Sequence, residues 1–479
     1  MFKNAKDVMK HMKKFYNKTF KQIIESTEGH LELKDNKNNK GVLGQIIELY
    51  VFGQKPNSKP EPDLELADGK KLELKVAPAK KNKVKKGLSA KERIVINIID
   101  YNDFKKDTPF EKSSVYKKLN MLIAWYLDPL QKGYDKKNCE IISSLIYEMN
   151  EADYAIIKED YNTIKKKVRA GLAHELSESD THILGACTKG AGKGKDLKTQ
   201  PFSDIKAKQR AFSLKQSYVT SLLQQSLKKN GCKNDFLTTE TLSEFIEKHI
   251  NKHKGKSIQK LCKDLGIKYD NCNKTIRTQI IKKMFGVKKH LKDVNEFRKY
   301  SIYPKTIQIT NNHLKESIPL LDFSFEDIVE TPFNESDFSN YIQETKLLLF
   351  IFKEENGKNK FLGTEWIPLG EQYLAQAKVT YEKTSDIVNR GCIVETIETR
   401  VDKKGKKYNC YITNFPLAKN DIFHVRPHAA NGDKNNKSCT LPLPIQDKYS
   451  KLNRYTKHAF WVNNSFIENK LIEKGIMKK

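Results

Sequence analysis

The chain has 479 residues, and 88 lysines and arginines against 59 aspartates and glutamates give it a formal net charge of +29. This length predicts roughly two to four domains, and the charge predicts a polyanionic partner whose binding weakens as salt rises, unless it reflects only a solvated lysine-rich surface. The eight cysteines form no CxxC pair and no cluster at zinc-ligand spacing, which argues against disulfides and structural zinc. The apolar runs are too short to span a membrane and the first residues lack a signal-peptide core, so we predict a cytoplasmic protein.

Two pairs of similar segments occur in the same order along the chain. Residues 39–53 read NKGVLGQIIELYVFG and residues 273–286 read NKTIRTQIIKKMFG, with Gln-Ile-Ile in register and Phe-Gly at the end of both. Residues 210–219 read RAFSLKQSYV and residues 458–467 read HAFWVNNSFI. One such pair can arise by chance, but two collinear pairs indicate a duplicated domain.

The duplication predicts a first domain over residues 1–228 and a second over 240–479, with the polar residues 228–235 between them. Strand-like and helix-like segments alternate in each half without a regular βαβ rhythm, which is typical of a mixed sheet flanked by helices. The predicted fold class is therefore α/β. The predicted strands include DLELA, KLELKVA, 93–101, 305–310 and 345–352, and the predicted helices include 116–127, 152–169 and 216–227.

Residues 62–75, PDLELADGKKLELK, are predicted to form a hairpin closed by a three-residue loop centred on Gly69. In that register the leucines form one apolar face and the charged residues project from the other. Asp63 then faces Lys75 directly, and Glu73 lies on the diagonal at roughly 7–8 Å. A divalent ion could bridge two carboxylates at that separation.

Such a hairpin holds the groups that phosphodiester hydrolysis needs. Hard oxygen ligands bind Mg²⁺, which neutralises charge on the scissile phosphate and acidifies a bound water. Lys75 beside the ion would have a lowered pKa and could orient or deprotonate that water. Glu48 on the preceding helix is a candidate third carboxylate. The alternative to a metal site is an ordinary charged hairpin. An acidic residue two positions before a lysine should occur roughly ten times by chance in a chain of this composition, so this pattern alone is weak evidence.

The second half lacks this site at the matching place. Lys282 occupies the position of Glu48, and residues 301–310, where the hairpin is expected, contain no carboxylate. A rival acidic residue and lysine begin the segment 344–352, ETKLLLFIF, but that segment is predicted to match 91–98, the strand after the hairpin. Catalysis is therefore predicted to belong to the first half.

Taken together, NKGVLGQIIE, PDLELADGKKLELK and QPFSDIKAKQRAFSLKQSYV resemble the MutH family of DNA endonucleases. The second half resembles it in FHVRPHAANGDKNNKSCTLPLP and HAFWVNNSFI, and the two-domain layout is most similar to the Sau-type GATC-specific type II restriction endonucleases. The resemblance implies two tandem restriction-endonuclease-like domains and Mg²⁺-dependent double-strand cleavage of unmethylated DNA at GATC. It also implies that the C-terminal copy is non-catalytic and binds a second GATC site as an effector.

The same resemblance implies roles for residues and partners. The partners would be double-stranded DNA with one GATC site per domain, a second copy of the chain on DNA, and a cognate DNA methyltransferase. The spacing between Asp63 and Glu73 is somewhat longer than in the family's tightest examples, so Glu65 competes with Asp63 as the first metal ligand. By position, the catalytic residues would be Asp63, Glu73, Lys75 and Glu48, the metal ligands Asp63, Glu73 and Glu48, and Lys40 a basic residue near the phosphate.

Arginines are scarce, with nine in the chain, so those in motif-like segments are the best candidates for DNA contacts. Reading GATC in the major groove needs donors for guanine and an amide or backbone pair for adenine. For each lysine, the alternative to DNA contact is that it lies on a solvated face of a strand. The predicted DNA-binding residues are Lys206, Lys208, Arg210 and Lys215 in the first half and Arg426 and His428 in the second.

Two other functions compete with a restriction endonuclease. A mismatch-repair nicking enzyme like MutH has a single domain, so the duplication argues against it. A non-catalytic protein that bridges two DNA sites would not need the carboxylates and lysine of the hairpin. The sequence therefore favours the restriction endonuclease.

Overall fold

The chain divides into two units in this computed structural model. Unit 1 comprises Met1–Ile246 and Asp293–Ile302, and unit 2 comprises Glu247–Lys292 and Tyr303–Lys479. Within the residues that the structure describes, no helix has the length and apolar character needed to cross a membrane. The described residues are 2–27, 41–55, 61–84, 87–131, 133–190, 196–227, 242–270, 273, 275–355, 357–401, 405, 407–418, 422–429 and 436–478.

The strands of unit 1 form a five-stranded sheet, a three-stranded sheet and a two-stranded ribbon. They are β1 (Leu64–Glu65), β2 (Lys71–Lys81), β3 (Leu88–Ala90), β4 (Ile94–Ile98), β5 (Met121–Leu127), β6 (Ile141–Tyr147), β7 (Leu184–Thr188), β8 (Leu197–Gln200), β9 (Ser203–Lys208) and β10 (Arg210–Leu214). The main sheet has the order β1-β2-β5-β6, with β3 also paired to β2; the second sheet has the order β4-β10-β7, and β8 pairs with β9. Since β2 and β5 run parallel and β5 and β6 antiparallel, the main sheet is mixed, as predicted.

Strand β5 corrects the predicted helix over 116–127. Residues Ser114–Lys117 form one helical turn, and MLIAWYL then runs as a strand whose first six residues are buried. An interior strand flanked by strands on both sides reads as a continuous apolar run, which periodicity does not distinguish from a buried helix. The helices predicted at 152–169 and 216–227 are confirmed as Glu151–Arg169 and Gln216–Leu227.

The α-helices of the chain flank these sheets and those of unit 2. They are α1 (Ala5–Met12), α2 (Phe20–Glu25), α3 (Val42–Ile46), α4 (Ser114–Lys117), α5 (Glu151–Arg169), α6 (Gln216–Leu227), α7 (Leu242–Ile250), α8 (Ile258–Asp264), α9 (Ile276–Met284), α10 (Asn295–Lys299), α11 (Phe325–Glu330), α12 (Asp337–Glu344), α13 (Leu374–Asn389) and α14 (Asn464–Glu473). Helices α1 to α3 share one apolar core with the main sheet of unit 1. That core includes Val8, Met12, Phe20, Ile23, Leu43, Ile46, Leu64, Leu72, Leu74, Leu122 and Ile141.

The segment Asp293–Ile302 belongs to unit 1 and is bound to it through buried Asp153. The Asp153 carboxylate accepts hydrogen bonds from Tyr218 Oη at 2.8 Å, Lys299 Nζ at 2.5 Å and Tyr300 Oη at 3.3 Å. Helix α10, which carries Lys299, packs against α6. A buried carboxylate is tolerated when cations and hydroxyl groups satisfy its oxygens, so this contact holds the segment in unit 1.

Unit 2 repeats much of this arrangement. Its strands are β11 (Ile302–Thr310), β12 (His313–Leu314), β13 (Ile318–Asp322), β14 (Lys346–Glu355), β15 (Lys358–Pro368), β16 (Glu395–Val401), β17 (Lys407–Thr413), β18 (Phe423–Pro427), β19 (Thr440–Pro442), β20 (Arg454–Thr456) and β21 (His458–Val462). The main sheet has the order β12-β11-β14-β15, a second sheet has the order β13-β21-β18, and β16-β17 and β19-β20 are two-stranded.

The three-stranded sheets of the two units share a detailed feature. In each, the repeated sequence forms the middle strand, RAFSL in β10 and HAFWV in β21. Ala211 pairs with Ile98 and Ala459 with Asp322, and both sheets then shift register directly after the next pair. The sequence repeat thus corresponds to the same structural position in both units.

The same comparison corrects one predicted correspondence. Strand β14, which contains most of 344–352, lies in the four-stranded sheet and takes the place that β5 has in unit 1. The strand that takes the place of β4, in the segment 91–98, is β13. The prediction failed because β13 and β14 both contain apolar runs, and the sequence pattern of such a run does not tell which strand of the first half it matches.

Candidate active site

The β1–β2 hairpin differs by two residues from the predicted register. Leu64 pairs with Leu72, and the amide of Leu66 donates to the carbonyl of Lys70 at 2.9 Å, so the loop is Ala67-Asp68-Gly69. A three-residue hairpin loop places its last residue in the left-handed region, and Gly69 meets this demand with φ +80°. The glycine therefore ends the loop and is not its centre.

This register brings two carboxylates directly together. Continuing it by one pair places Asp63 opposite Glu73, whereas the prediction placed Asp63 opposite Lys75. The amide of Leu74 donates to Asp63 Oδ2 at 2.7 Å, which fixes the orientation of that carboxylate. Glu65 lies one pair nearer the turn, opposite Lys71, and is exposed. Asp63 rather than Glu65 is thus the carboxylate beside Glu73.

Glu73 is buried and holds two lysines on one of its oxygens. Lys75 Nζ donates to Glu73 Oε1 at 2.8 Å, and Lys118 Nζ donates to the same atom at 3.3 Å. The other oxygen, Oε2, is buried without a hydrogen-bond partner among the described residues. A buried carboxylate oxygen without a partner is costly, so this atom is a position where a cation or a hydrogen-bond donor would bind.

Sequence reasoning missed Lys118. It follows the helical turn α4 and comes shortly before β5, which runs beside β2 and pairs Met121 with Glu73. No local motif surrounds Lys118, and the incorrect helix over 116–127 removed the one available signal. Had that apolar run been assigned to a strand beside the hairpin, a lysine at its start would have been a candidate.

Glu48 reaches the same site from a π-helical turn, Ile47–Val51, that continues α3. The pKa of its carboxyl group is raised because the group is partly buried and because the charges of Asp63 and Glu73 repel its charged form. The charge of Lys75 lowers that pKa in part. The pKa of Asp63 is also raised, first by burial and further by Glu73. The structure therefore brings together Glu48, Asp63, Glu73 and Lys75.

The donor set fits a hard divalent cation. Carboxylate oxygens are the ligands that Mg²⁺ prefers, and the mutual repulsion within this cluster is what a bound cation relieves. Oε2 of Glu73, which has no hydrogen-bond partner in the described part of the chain, would offer a cation an oxygen that the lysines do not occupy. Across the described ranges, no three histidine, cysteine or carboxylate side chains already stand as a closed metal-binding group.

The predicted DNA-binding residues of unit 1 fall into two groups. Lys206 and Lys208 are exposed on β9, in the two-stranded ribbon with β8. Lys40 lies outside the described residues. The ribbon therefore presents two cations on its surface.

Arg210 and Lys215 are instead buried. Arg210 Nη1 donates to the carbonyl of Ala186 at 2.7 Å, and Lys215 Nζ donates to the carbonyl of Thr181 at 2.6 Å. Both accepting carbonyls belong to the unit itself, and neither side chain is at a surface. Their burial argues against direct DNA contact and indicates a role in packing.

Replacing Lys215 with Met tests this distinction. The charge of Lys215 acts on Asp160, a buried carboxylate that also accepts hydrogen bonds from the backbone amides of residues 182 to 184. We expect Lys215→Met to lower the free energy of unfolding of unit 1 by about 3–5 kcal/mol, because it leaves a buried charge uncompensated. DNA affinity and its salt dependence should remain unchanged at a temperature where the variant is folded.

The measurements are denaturant unfolding and DNA binding over a range of salt concentrations. Lys206→Met is the control, since it removes an exposed lysine and should leave stability unchanged. A Lys215→Met variant of normal stability whose salt slope fell by about one would show a phosphate contact instead.

In unit 2, Arg426 and His428 lie around one tryptophan. Arg426 is exposed at the end of β18, with its guanidinium 5.2 Å from the centre of the Trp461 ring. His428 Nδ1 lies 2.5 Å from Asp322 Oδ1, and its ring meets Trp461 edge-on at 5.7 Å. His424 lies buried against the same tryptophan, and burial, followed by the charge of Arg426, lowers the pKa of His424 to about 4. The arginine is thus a cation held in place at a surface.

Carboxylates and lysines gathered at one hairpin can bind a divalent cation and assist the hydrolysis of a phosphodiester. Comparisons with known proteins agree. Residues 52–160 match the family model of the DNA mismatch repair enzyme MutH. The chain is 32% identical over 469 residues to the type II restriction enzyme Sau3AI of Staphylococcus aureus, a match that covers 91% of this chain and 93% of that enzyme. It is 30% identical over 176 residues to the DNA mismatch repair protein MutH of Shewanella woodyi, covering 36% of this chain and 70% of that protein.

The class of protein is therefore a site-specific deoxyribonuclease that acts on double-stranded DNA. The chain belongs to the MutH family of endonucleases and is a type II restriction endonuclease similar to Sau3AI along nearly its whole length. The resemblance found in the sequence is confirmed by these matches.

Proposed function

We propose that unit 1 makes Mg²⁺-dependent double-strand cuts in unmethylated DNA at GATC. The observation that carries this proposal is the proximity of Glu48, Asp63 and Glu73, whose charges repel one another, with Lys75 in contact with Glu73. One oxygen of Glu73 is buried without a hydrogen-bond partner among the described residues. The recognition sequence comes from the resemblance to the Sau-type enzymes.

In this proposal Asp63, Glu73 and Glu48 hold the Mg²⁺ ion. The bound ion would neutralise charge on the scissile phosphate and acidify a water molecule. The amide of Leu74 donates to one oxygen of Asp63 and so fixes the orientation of that carboxylate. Lys75, anchored on Glu73, would orient the attacking water or take its proton, and Lys118 donates a second hydrogen bond to the same oxygen of Glu73.

Unit 2 is proposed to bind a second GATC site as an effector without cutting it. Lys282 replaces the acidic residue at the position of Glu48, and the sequence of β11, which takes the place of β2, contains no carboxylate. Arg426 and His428 around Trp461 supply the donors that would contact a guanine or a phosphate. In unit 1, the exposed Lys206 and Lys208, together with Lys40, would contact the phosphate backbone. Such contacts fix the position of the protein on the DNA but do not read its sequence.

The partners follow from this chemistry. One catalytic site facing a palindrome requires either pairing of two copies on DNA or two successive nicks, and we propose a DNA-dependent dimer. An enzyme that cuts unmethylated GATC requires a cognate DNA methyltransferase that protects the host genome. The proposed location is the cytoplasm, where host and invading DNA are both present.

The test is to incubate the purified protein with unmethylated phage DNA, with Mg²⁺ or with EDTA, and to sequence the fragment ends. We expect all ends to fall at GATC, with none in EDTA. Mg²⁺-dependent ends at another sequence would retain the chemistry but contradict the proposed specificity. Nicks without double-strand ends would favour a MutH-like nicking enzyme, and salt-sensitive binding without cutting would contradict the proposed active site and favour a bridging protein.

A further inference from the structure

The helix that carries Glu48 contains one more residue than its counterpart in unit 2. The segment 39–53 exceeds 273–286 by one residue, although both begin with Asn-Lys and end with Phe-Gly. In unit 2 the matching helix is a regular α-helix, α9. In unit 1 the α-helix becomes a π turn over Ile47–Val51, and Glu48 lies within it.

Backbone hydrogen bonds locate the extra residue. Ile47 C=O accepts from Phe52 N at 3.2 Å and Glu48 C=O from Gln54 N at 2.9 Å, while in unit 2 Ile281 C=O accepts from Phe285 N at 3.2 Å and Lys282 C=O from Val287 N at 2.9 Å. Each bond therefore joins the same pair of matching positions, but spans one more residue in unit 1. The carbonyl of Leu49 accepts from the amide of Gly53, as the carbonyl of Lys283 accepts from the amide of Gly286. Three residues lie between the bonded residues in unit 1 and two in unit 2, and the last of them is the matching phenylalanine. The inserted residue is therefore Tyr50 or Val51.

A side chain from another helix anchors this turn. His11 Nε2, on α1, lies 2.7 Å from the carbonyl oxygen of Val51. A carbonyl oxygen can only accept, so Nε2 carries the proton of this bond. The imidazole is enclosed by the rings of Phe2, Phe15 and Phe52 at 5.1 to 5.9 Å. The last carbonyls of a helix lack partners within it, and His11 supplies one at the residue that ends the π turn.

The histidine alone does not distinguish the two units. In unit 2 the ring of His249, on α7, stacks on Phe285, the residue that matches Phe52, at 5.7 Å. The contact between a histidine and this phenylalanine is therefore common to both units. The inserted residue and the π turn, which belong to unit 1, are what differ, and they coincide with the change from Lys282 to Glu48.

We infer that the π turn, anchored by His11, is the device that holds the Glu48 carboxylate at the active site, which makes His11 a positioning residue. Single-residue insertions in helices persist as π turns mainly at functional sites, because they disturb the helical hydrogen bonds. Here the wider turn absorbs the insertion, so that the helix still ends on Phe52-Gly53 as α9 ends on Phe285-Gly286. The inference rests on the proposed role of Glu48 as a metal ligand.

The test compares deletion of Tyr50, His11→Phe and Glu48→Gln in the full-length chain. The deletion restores the helix length of unit 2, and His11→Phe keeps a ring but removes the donor. The primary readout is Mn²⁺ binding without DNA, followed by electron paramagnetic resonance of the free ion, with cleavage rates over a range of Mg²⁺ as the second. We expect the Tyr50 deletion and His11→Phe each to weaken Mn²⁺ binding by about 10-fold, which is typical of changes to groups that orient a metal ligand, and Glu48→Gln, which changes the ligand itself, to weaken it at least as much.

A double variant shows whether the two changes act through the same group. Adding the Tyr50 deletion to Glu48→Gln should weaken Mn²⁺ binding no further than Glu48→Gln alone, because residues that act as a unit are not additive. Val8→Ala, which opens a cavity on the same helix as His11, is the stability control and should leave Mn²⁺ binding unchanged. His11→Gln, which retains a donor, should recover part of the affinity.

The outcomes separate this inference from the proposed function. If Glu48→Gln weakens Mn²⁺ binding but the Tyr50 deletion and His11→Phe do not, or if their losses multiply with it, the inference is wrong while the active site stands. If Glu48→Gln leaves both Mn²⁺ binding and cleavage unchanged, the role proposed for Glu48 is itself wrong. If the deletion variant does not fold, His11→Phe carries the test by the same criteria.

Discussion

Replacing Glu73 with Gln is expected to lower the rate of DNA cleavage by about 10³-fold or more, with little loss of DNA affinity. Glu73 is the most buried carboxylate of the site and is in contact with both lysines. An amide would remove the charge that binds the cation and that keeps Lys75 in place, so both parts of the proposed chemistry would fail together. DNA affinity depends on lysines and arginines elsewhere and should persist.

The matched control is Glu65→Gln on the same hairpin. Glu65 is exposed, one pair nearer the turn, and removing its charge should change the rate little. The measurements are single-turnover cleavage with saturating protein and a filter or gel-shift assay of binding. A large rate loss in Glu65→Gln together with a small one in Asp63→Asn would instead make Glu65 the first metal ligand.

A short GATC duplex added in trans should accelerate cleavage of a plasmid with one GATC site by about 10-fold, and Arg426→Ala should abolish this stimulation. Coupling between two ligand sites usually amounts to about 1–3 kcal/mol, which sets the expected size. Arg426 is exposed and held over Trp461, so it is the strongest candidate for contact with the effector DNA. Losing one such arginine contact costs about 1–3 kcal/mol of binding.

The control for Arg426→Ala is Arg390→Ala. Arg390 is an exposed arginine of the same unit, paired with Asp386 one helical turn away, so its loss changes net charge equally. Plasmids with one and two sites should be compared with and without duplex, at several duplex concentrations. Equal rates on both plasmids, unchanged by added duplex, would contradict the effector role of unit 2.

Much of the fold was predictable because its sequence signals are local. The hairpin strands alternate charged and apolar residues, and the long helices α5 and α6 were found within a residue of their ends. Strand β5 was missed because MLIAWYL is buried at six of its seven positions, and a fully buried run has no periodicity to read. Boundaries and pairing in such segments depend on neighbours that are distant in the sequence.

The site shows the same division. Asp63, Glu73 and Lys75 share one hairpin, so strand alternation alone could place them on one face, although the loop glycine had to be assigned to its left-handed position to obtain the register. Lys118 comes from a different part of the chain, and its contact with Glu73 could be expected only if the apolar run after it had been assigned to a strand beside the hairpin. Arg210 and Lys215 can be buried because the carbonyls of Ala186 and Thr181 accept their hydrogen bonds. The residue types alone do not predict those contacts, because they come from other segments of the chain.

Because Asp293–Ile302 belongs to unit 1, no single cut in the chain separates the two units. A fragment that ends anywhere before Asp293 would lack Lys299 and Tyr300 and would leave the Asp153 carboxylate buried beside Tyr218 with its cation gone. Unit 1 therefore depends on residues that lie beyond the start of the second copy in the sequence. A fragment that is meant to keep unit 1 intact must therefore extend to Ile302 and carry the intervening Glu247–Lys292 with it.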